Sequence, residues 1–220
     1  MPPITPSLRL YTPVKKNQSP LPLLIYLHGG GWTFGSINSC ARFCQTLAAT
    51  GNVIVLAVDY RLAPEHPFPD GLEDCIRAVK LARKKALEWG SSPELVSIGG
   101  DSAGGNLALS ATLSFLQEST SPIRSLLLFY PVVSAWNDAS PSWNTYQKGA
   151  ALDGPLMEAF NQAYTCGQAQ HPFISPSLCP DSLLSRLPPT ASRGCRTRHL
   201  MRPRKGFHRP RETPRRDSAP

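Results

Sequence analysis

ELVSIGGDSAGGNLALSATLSFLQ, residues 94–117, changes its hydrophobic rhythm at a single serine. Before it stands a short apolar run of strand length that ends in two glycines; after it the apolar residues recur at helical spacing. At the junction, Gly100-Asp101-Ser102-Ala103-Gly104 spells Gly-x-Ser-x-Gly. A tight strand-to-helix turn needs small residues on both sides of the serine, because larger side chains would clash with strand or helix. Such a turn lifts the hydroxyl above the end of the strand, and the helix N-terminus behind it favours developing negative charge. A bare Gly-x-Ser-x-Gly arises often by chance. Placed between this strand and this helix, Ser102 is a candidate nucleophile, and the competing reading is a merely structural turn.

Working outward, further apolar β-branched runs precede and follow: LRLYTPV, LPLLIYLHG, NVIVLAVDY and SLLLFYPVV. Amphipathic segments separate most of them, which predicts an α/β fold with a largely parallel sheet and helices on both faces. Leu72, Cys75, Ile76, Val79, Ala82 and Ala86 fall on one helical stripe, and Arg83, Lys84 and Lys85 read as a solvated basic group near that helix's C-terminal end. From Ser134 to Pro180 the strand rhythm is lost and aromatics gather, among them Trp136, Trp143, Tyr146, Phe160 and Tyr164. A partial lid and ordinary packing are both open readings of this stretch.

The second chemical signal is His28-Gly29-Gly30-Gly31-Trp32 at the end of LLIYLHG. Glycines there free backbone N–H groups to meet an oxyanion, so Gly29 and Gly30, with the Ala103 amide, are the candidate oxyanion hole. His28 is read as fixing the loop's shape and not as a general base. A phosphate-binding loop is the rival, and no Gly-Lys-Ser/Thr follows to support it.

HGGGW, then DYRLAPEHPFP at residues 59–69, then GDSAGGNLA at residues 100–108, in that order, resemble the hormone-sensitive-lipase-like family of α/β-hydrolases, especially bacterial acetyl esterases. Tyr130-Pro131, the run His171-Pro172-Phe173-Ile174-Ser175-Pro176, and Leu187-Pro188-Pro189-Thr190 match later landmarks of that family. The resemblance implies a carboxylesterase acting on small acyl esters, with Ser102 as nucleophile and Gly29, Gly30 and Ala103 as oxyanion donors. It implies no cofactor and no metal, and assigns Arg61 and Glu65 to bracing loops by hydrogen bonds.

After Thr190 the chain departs from that family. In place of an apolar strand, an acid-bearing turn and a final histidine it reads ASRGCRTRHLMRPRKGFHRP. Asp181 precedes the departure at what reads as a loop position, and His199, His208 and Asp217 lie in the Arg/Pro-rich segment without a sheet to place them. Residues 1–190 carry 13 basic and 13 acidic side chains, whereas residues 191–220 carry 10 and 2, so the last thirty residues supply the whole net charge of +8. One domain with a tail is therefore expected: an incomplete hydrolase domain over 1–190, with a reduced cap and missing C-terminal strands, and a basic Arg/Pro-rich tail over 191–220 that forms no strand. Reverse-translating from Ala191 with one nucleotide dropped permits an apolar strand and an Asp-x-Leu-x-Asp-like turn, which favours a frameshift. A genuine disordered tail is the alternative.

With its charge confined to the tail, the body offers no nucleic-acid surface. The six cysteines form no CxxC pair, and reduced thiols are expected, with Cys40 and Cys44 packed in the core. MPPITPSLRL lacks the pattern of a secretory leader and no later run is long enough to span a bilayer. A cytoplasmic protein without membrane or nucleic-acid partners, acting on a small-molecule ester, is the expectation; a non-catalytic small-molecule-binding protein on the same fold is the alternative.

Overall fold

The computed structural model describes residues 6–14, 20–136, 141–148 and 152–194. Among the described residues six strands form one sheet: β1 (Ser7–Tyr11), β2 (Leu23–Leu27), β3 (Ile54–Asp59), β4 (Val96–Asp101), β5 (Leu126–Phe129) and β6 (Thr190–Arg193), in the order β1-β3-β2-β4-β5-β6. All neighbours are parallel except β1, which runs antiparallel along β3.

Strand β2, and β3 up to its terminal Asp59, are apolar because both of their faces are covered. On β2, Leu23, Ile25 and Leu27 enter one core with Leu107 and Ala108 of α3 (Ala103–Gln117) and Cys75 and Val79 of α2 (Asp70–Trp89). Leu24 and Tyr26 point the other way, to Cys44 and Ala48 of α1 (Ala41–Gly51). Cys40 and Cys44 are packed in this second core, as expected. The stripe on α2 is buried as read, apart from Ile76, which is half-buried. Asp70 and Glu73 open α2, where negative charge complements the dipole, and Gly90 ends it in the left-handed conformation with its N–H bonded back to Ala86 and Leu87.

Several expectations are corrected. The basic trio sits a turn short of the end of α2, whose last turn holds no basic residue. Arg83 is not simply solvated: its guanidinium donates to the carbonyls of Pro93 at 3.1 Å and Pro122 at 2.9 Å, stapling α2 to the loops that enter β4 and β5. Asp181 opens the short helix α6 (Asp181–Leu184), after α4 (Pro141–Tyr146) and α5 (Gly154–Thr165), so it is a helix-start acid and not a loop residue. Most directly, the chain does form a strand beyond residue 190. Ala191, Ser192 and Arg193 pair with Leu127, Leu128 and Phe129. Their sequence has no strand pattern; the outer edge of β5 supplies the reason, since its backbone groups need partners and any extended segment can provide them. The remainder of the basic tail, 195–220, with His199, His208 and Asp217, lies outside the described residues.

The chain runs from β2 through α1 to β3 on one side, then returns through α2 across β2 to β4 on the other. The C-terminal ends of β2 and β4 therefore lie at the point where strand order reverses, the place where open α/β sheets commonly build their sites. The glycine loop leaves β2 there, and Ser102 leaves β4.

Candidate active site

Ser102 stands between the last residue of β4 and the first residue of α3 with φ 54° and ψ −118°. That conformation is costly for any residue with a Cβ, and it is held from the β5 side by two backbone bonds. The Ser102 N–H donates to the Phe129 carbonyl at 2.9 Å, and the Val132 N–H donates to the Ser102 carbonyl at 3.2 Å. Gly104 explains the second glycine of the motif: a Cβ there would run into the carbonyl oxygens of Leu27 and His28. Elbow and glycine loop thus touch backbone to backbone.

Gly30 adopts φ 127°, and its carbonyl accepts the N–H groups of Thr33 and Phe34 at 3.0 Å each, closing the loop on itself. The N–H groups of Gly30, Gly31 and Ala103 meet no acceptor among the described residues. Gly29 differs, because its N–H donates to Asp101 Oδ1 at 3.1 Å. Of the amides expected to form the hole, two stand open and one is occupied; Gly31 is an open amide that the sequence reading left out.

His28 behaves as expected of a loop-shaping residue. It is 1% exposed, stacked on Tyr60 with ring centroids 4.4 Å apart, and its Nδ1 lies 2.8 Å from the Gly29 carbonyl. The carbonyl accepts, so Nδ1 carries the proton and Nε2 is bare. Burial lowers its pKa below the ordinary 6.5, outweighing the bond to Gly29 and the pull of Asp59 and Asp101. The other described histidines have their own partners: His66 Nδ1 sits 3.0 Å from Asp70, and His171 Nδ1 accepts the Phe173 N–H at 3.1 Å. No described side chain hydrogen-bonds the Ser102 hydroxyl.

The remaining motifs frame this site. In DYRLAPEHPFP, Tyr60 donates to the His28 carbonyl at 2.8 Å and the Ala63 N–H donates to the Trp32 carbonyl at 2.9 Å, so the segment wraps the glycine loop. Arg61 is the expected brace: its Nε bonds Asp74 at 2.9 Å, and a second nitrogen lies 2.7 Å from Asp70. Glu65 is not, being exposed and without a hydrogen bond among the described residues. Trp32 stacks on Tyr164 of α5 at 4.6 Å and 4°, and Phe160 of the same helix lies 5.6 Å from Phe34. The aromatic stretch therefore packs into the core through Tyr164 while setting Phe160 beside the glycine loop.

Three residues the motifs did not single out for the site are built into it. Tyr26 and Asp101 are joined at 2.9 Å. Asn106, fully buried, donates from its amide to the carbonyls of Val132 at 2.7 Å and Ile174 at 2.9 Å, tying α3 to the segment after β5 and to the His171–Pro176 run. A polar residue at a position that periodicity assigns to the core was the available signal for Asn106; Tyr26 and Asp101 carried none.

A family model described as the alpha/beta hydrolase fold matches residues 24–201. The chain belongs to the α/β-hydrolase family. Its relatives lie on the hormone-sensitive-lipase-like esterase branch. It is 36% identical over 190 residues to carboxylesterase NlhH of Mycobacterium tuberculosis, covering 83% of this chain and 57% of that protein. An arylesterase of Saccharolobus solfataricus is 34% identical over 184 residues, 82% of this chain and 58% of its own length. Among solved structures, the hyperthermophilic esterase of Pyrobaculum calidifontis superposes with a TM-score of 0.80 at 32% identity, over 85% of this chain and 61% of that one. A thermostable carboxylesterase from a metagenomic library gives 0.79 at 34% identity, over 84% and 63%. This α/β-hydrolase thus spans less than two thirds of the length of these relatives. No helix among its described residues is long and apolar enough to cross a membrane.

Proposed function

We propose that this α/β-hydrolase is a carboxylesterase for small acyl esters whose nucleophile is Ser102, and that its proton relay is impaired in the chain as it stands. The reading is carried by one observation: Ser102 is held at a strained elbow whose neighbours Asp101 and Gly104 lie against the glycine loop, and the loop's Gly30 and Gly31 amides meet no acceptor among the described residues. In the reaction, Ser102 Oγ attacks the ester carbonyl carbon and its proton passes to a base. The carbonyl oxygen becomes an oxyanion that the N–H groups of Gly30, Gly31 and Ala103 receive. Collapse expels the alcohol and leaves an acyl-enzyme, which water cleaves to release the acid and restore the serine. The Gly29 amide stays with Asp101.

A serine hydroxyl is a weak nucleophile near neutral pH without an oriented base. His28 is buried with Nε2 bare and unbonded, and His66 and His171 are engaged elsewhere, which supports an impaired relay. Loss of relay residues costs roughly 10⁴- to 10⁶-fold in turnover. The departure after Thr190 supports a shift of reading frame as the origin of the basic segment.

The test compares the 220-residue chain with a form in which one nucleotide near codon 190 is deleted or inserted, both assayed on a short aryl acetate. The chain as it stands should hydrolyse it feebly, the restored form at least about 10⁴-fold faster, and Ser102→Ala should remove that gain. Ordinary esterase turnover by the unaltered chain, abolished by His208→Ala, overturns the impaired relay. Tight, saturable ester binding with no acyl-enzyme in either form would instead favour a binding protein on this fold.

A further inference from the structure

Resting on the reading of Ser102 as nucleophile, we propose that Asp101 is a positioning residue: one oxygen of its carboxylate latches the oxyanion loop to the nucleophile elbow. The last paired rung between β2 and β4 is Leu27 with Gly100. Beyond it the ladder ends, one chain turning into the glycine loop and the other into the elbow, so backbone pairing no longer sets their separation. At that point Asp101 Oδ1 accepts the Gly29 N–H at 3.1 Å and the Tyr26 hydroxyl at 2.9 Å. The Gly29 bond joins the loop to the end of β4, and the Tyr26 bond, from within β2, holds the same carboxylate oxygen in place.

The surroundings are shaped for this contact. A Cβ on Gly29 would run into the Asp101 carboxylate, so the first loop glycine is the residue that lets the main chain lie against it. Tyr26 is buried and rests on Phe43 with ring centroids 4.7 Å apart. Burial, and then the neighbouring carboxylate, push its phenol far above the usual value, so it remains a donor. The opposite flank of the elbow is already held by β5 through Phe129 and Val132. With the latch, Ser102 is held on both sides.

The sign of the charge separates this role from direct catalysis. A carboxylate beside an oxyanion hole opposes the charge that develops there, so Asp101 contributes nothing favourable to the transition state by its field. Its contribution is geometric. It takes the Gly29 amide out of service and in doing so fixes where the next two amides stand.

Phenylboronic acid provides a probe that needs no proton relay. Ser102 Oγ forms a bond to boron, the hydroxyl proton passes to solvent, and the tetrahedral adduct places an oxygen at the oxyanion position; boron NMR reads the change from trigonal to tetrahedral. Asp101→Ala should weaken the adduct about tenfold or more, Tyr26→Phe by a few-fold, and Asp101→Asn, which keeps an acceptor at Oδ1, should recover most of the loss. In parallel, the Gly29 amide should exchange with solvent about tenfold faster in Asp101→Ala and near the native rate in Asp101→Asn. Native-like boronate affinity and Gly29 exchange in Asp101→Ala overturn the latch. So does an Asp101→Asn variant as impaired as the alanine one, because charge and not acceptor geometry would then be at work. Should Asp101→Ala fail to fold by circular dichroism, Tyr26→Phe and Asp101→Asn decide the matter on the same readouts. A wild-type chain that forms no adduct, indistinguishable from Ser102→Ala, overturns Ser102 as nucleophile, and Gly29 exchange alone then decides the latch.

Discussion

Tyr60 grips the glycine loop by its root: its hydroxyl donates to the His28 carbonyl at 2.8 Å while its ring stacks on the His28 imidazole at 4.4 Å and 15°. Both partners are almost fully buried, so water cannot replace the bond. Tyr60→Phe keeps the stack and orphans the carbonyl, and should lower stability by about 1–3 kcal/mol. Tyr60→Ala also empties a large volume in the core and should cost about 3–5 kcal/mol. Urea unfolding midpoints measure both. Equal losses for the two variants would mean that the hydroxyl, and not the ring, carries the contact.

Strain at the elbow makes a second prediction. Ser102 holds φ 54° against the cost of its own Cβ, which glycine does not have. Ser102→Gly should therefore raise stability by about 1 kcal/mol while abolishing boronate capture and any ester cleavage. An unchanged or lower midpoint would mean the conformation is relaxed as it stands.

A pH effect follows from His28. Its folded pKa lies below the ordinary 6.5 because burial disfavours the charged ring, so the unfolded chain takes up this proton first as the medium is acidified. The contribution to stability is complete above about 6.5 and is lost as pH falls from there toward the depressed folded value. His28→Asn, which keeps an N–H near the Nδ1 position, should flatten the stability profile below about pH 6.5 relative to the parent. Parallel profiles for the two proteins would assign the acid sensitivity to other groups.

The brace behind the DYRLAPEHPFP segment is anchored on Asp74, which is 0% exposed and accepts the Arg61 N–H at 2.9 Å, Arg61 Nε at 2.9 Å and a further bond from Arg77. Removing one partner of such a buried arrangement strands the others. Asp74→Ala should cost about 3–5 kcal/mol. Arg61→Lys should recover little of what Arg61→Ala loses, because an ammonium cannot reproduce the forked contact. Denaturant titration of the three variants checks the ranking.

Much of the fold was legible along the chain. Strands β1 to β5 and helices α2 and α3 announce themselves by period, since burial on one face or both writes a pattern into neighbouring residues. The placing of Ser102 at a turn between β4 and α3 was legible because a tight strand-to-helix turn tolerates few residue types. Strand β6 was not: Thr-Ala-Ser-Arg bears no strand pattern, and its extended form comes from β5, where the Leu126 N–H reaches the Pro189 carbonyl at 3.0 Å and the Tyr130 N–H reaches that of Arg193 at 2.7 Å.

The sequence by itself determined an α/β-hydrolase with a serine at its elbow and a glycine loop in reach, because periodicity and steric exclusion are local properties. Only the tertiary structure decided which amides of that loop are open. Gly29 and Asp101 are 72 residues apart in the chain, and Tyr26 and Asp101 are 75 apart. Nothing local to any of them requires the others. Their meeting depends on β2 and β4 lying side by side in register, and that register is set by the packing of two cores on opposite faces of the sheet.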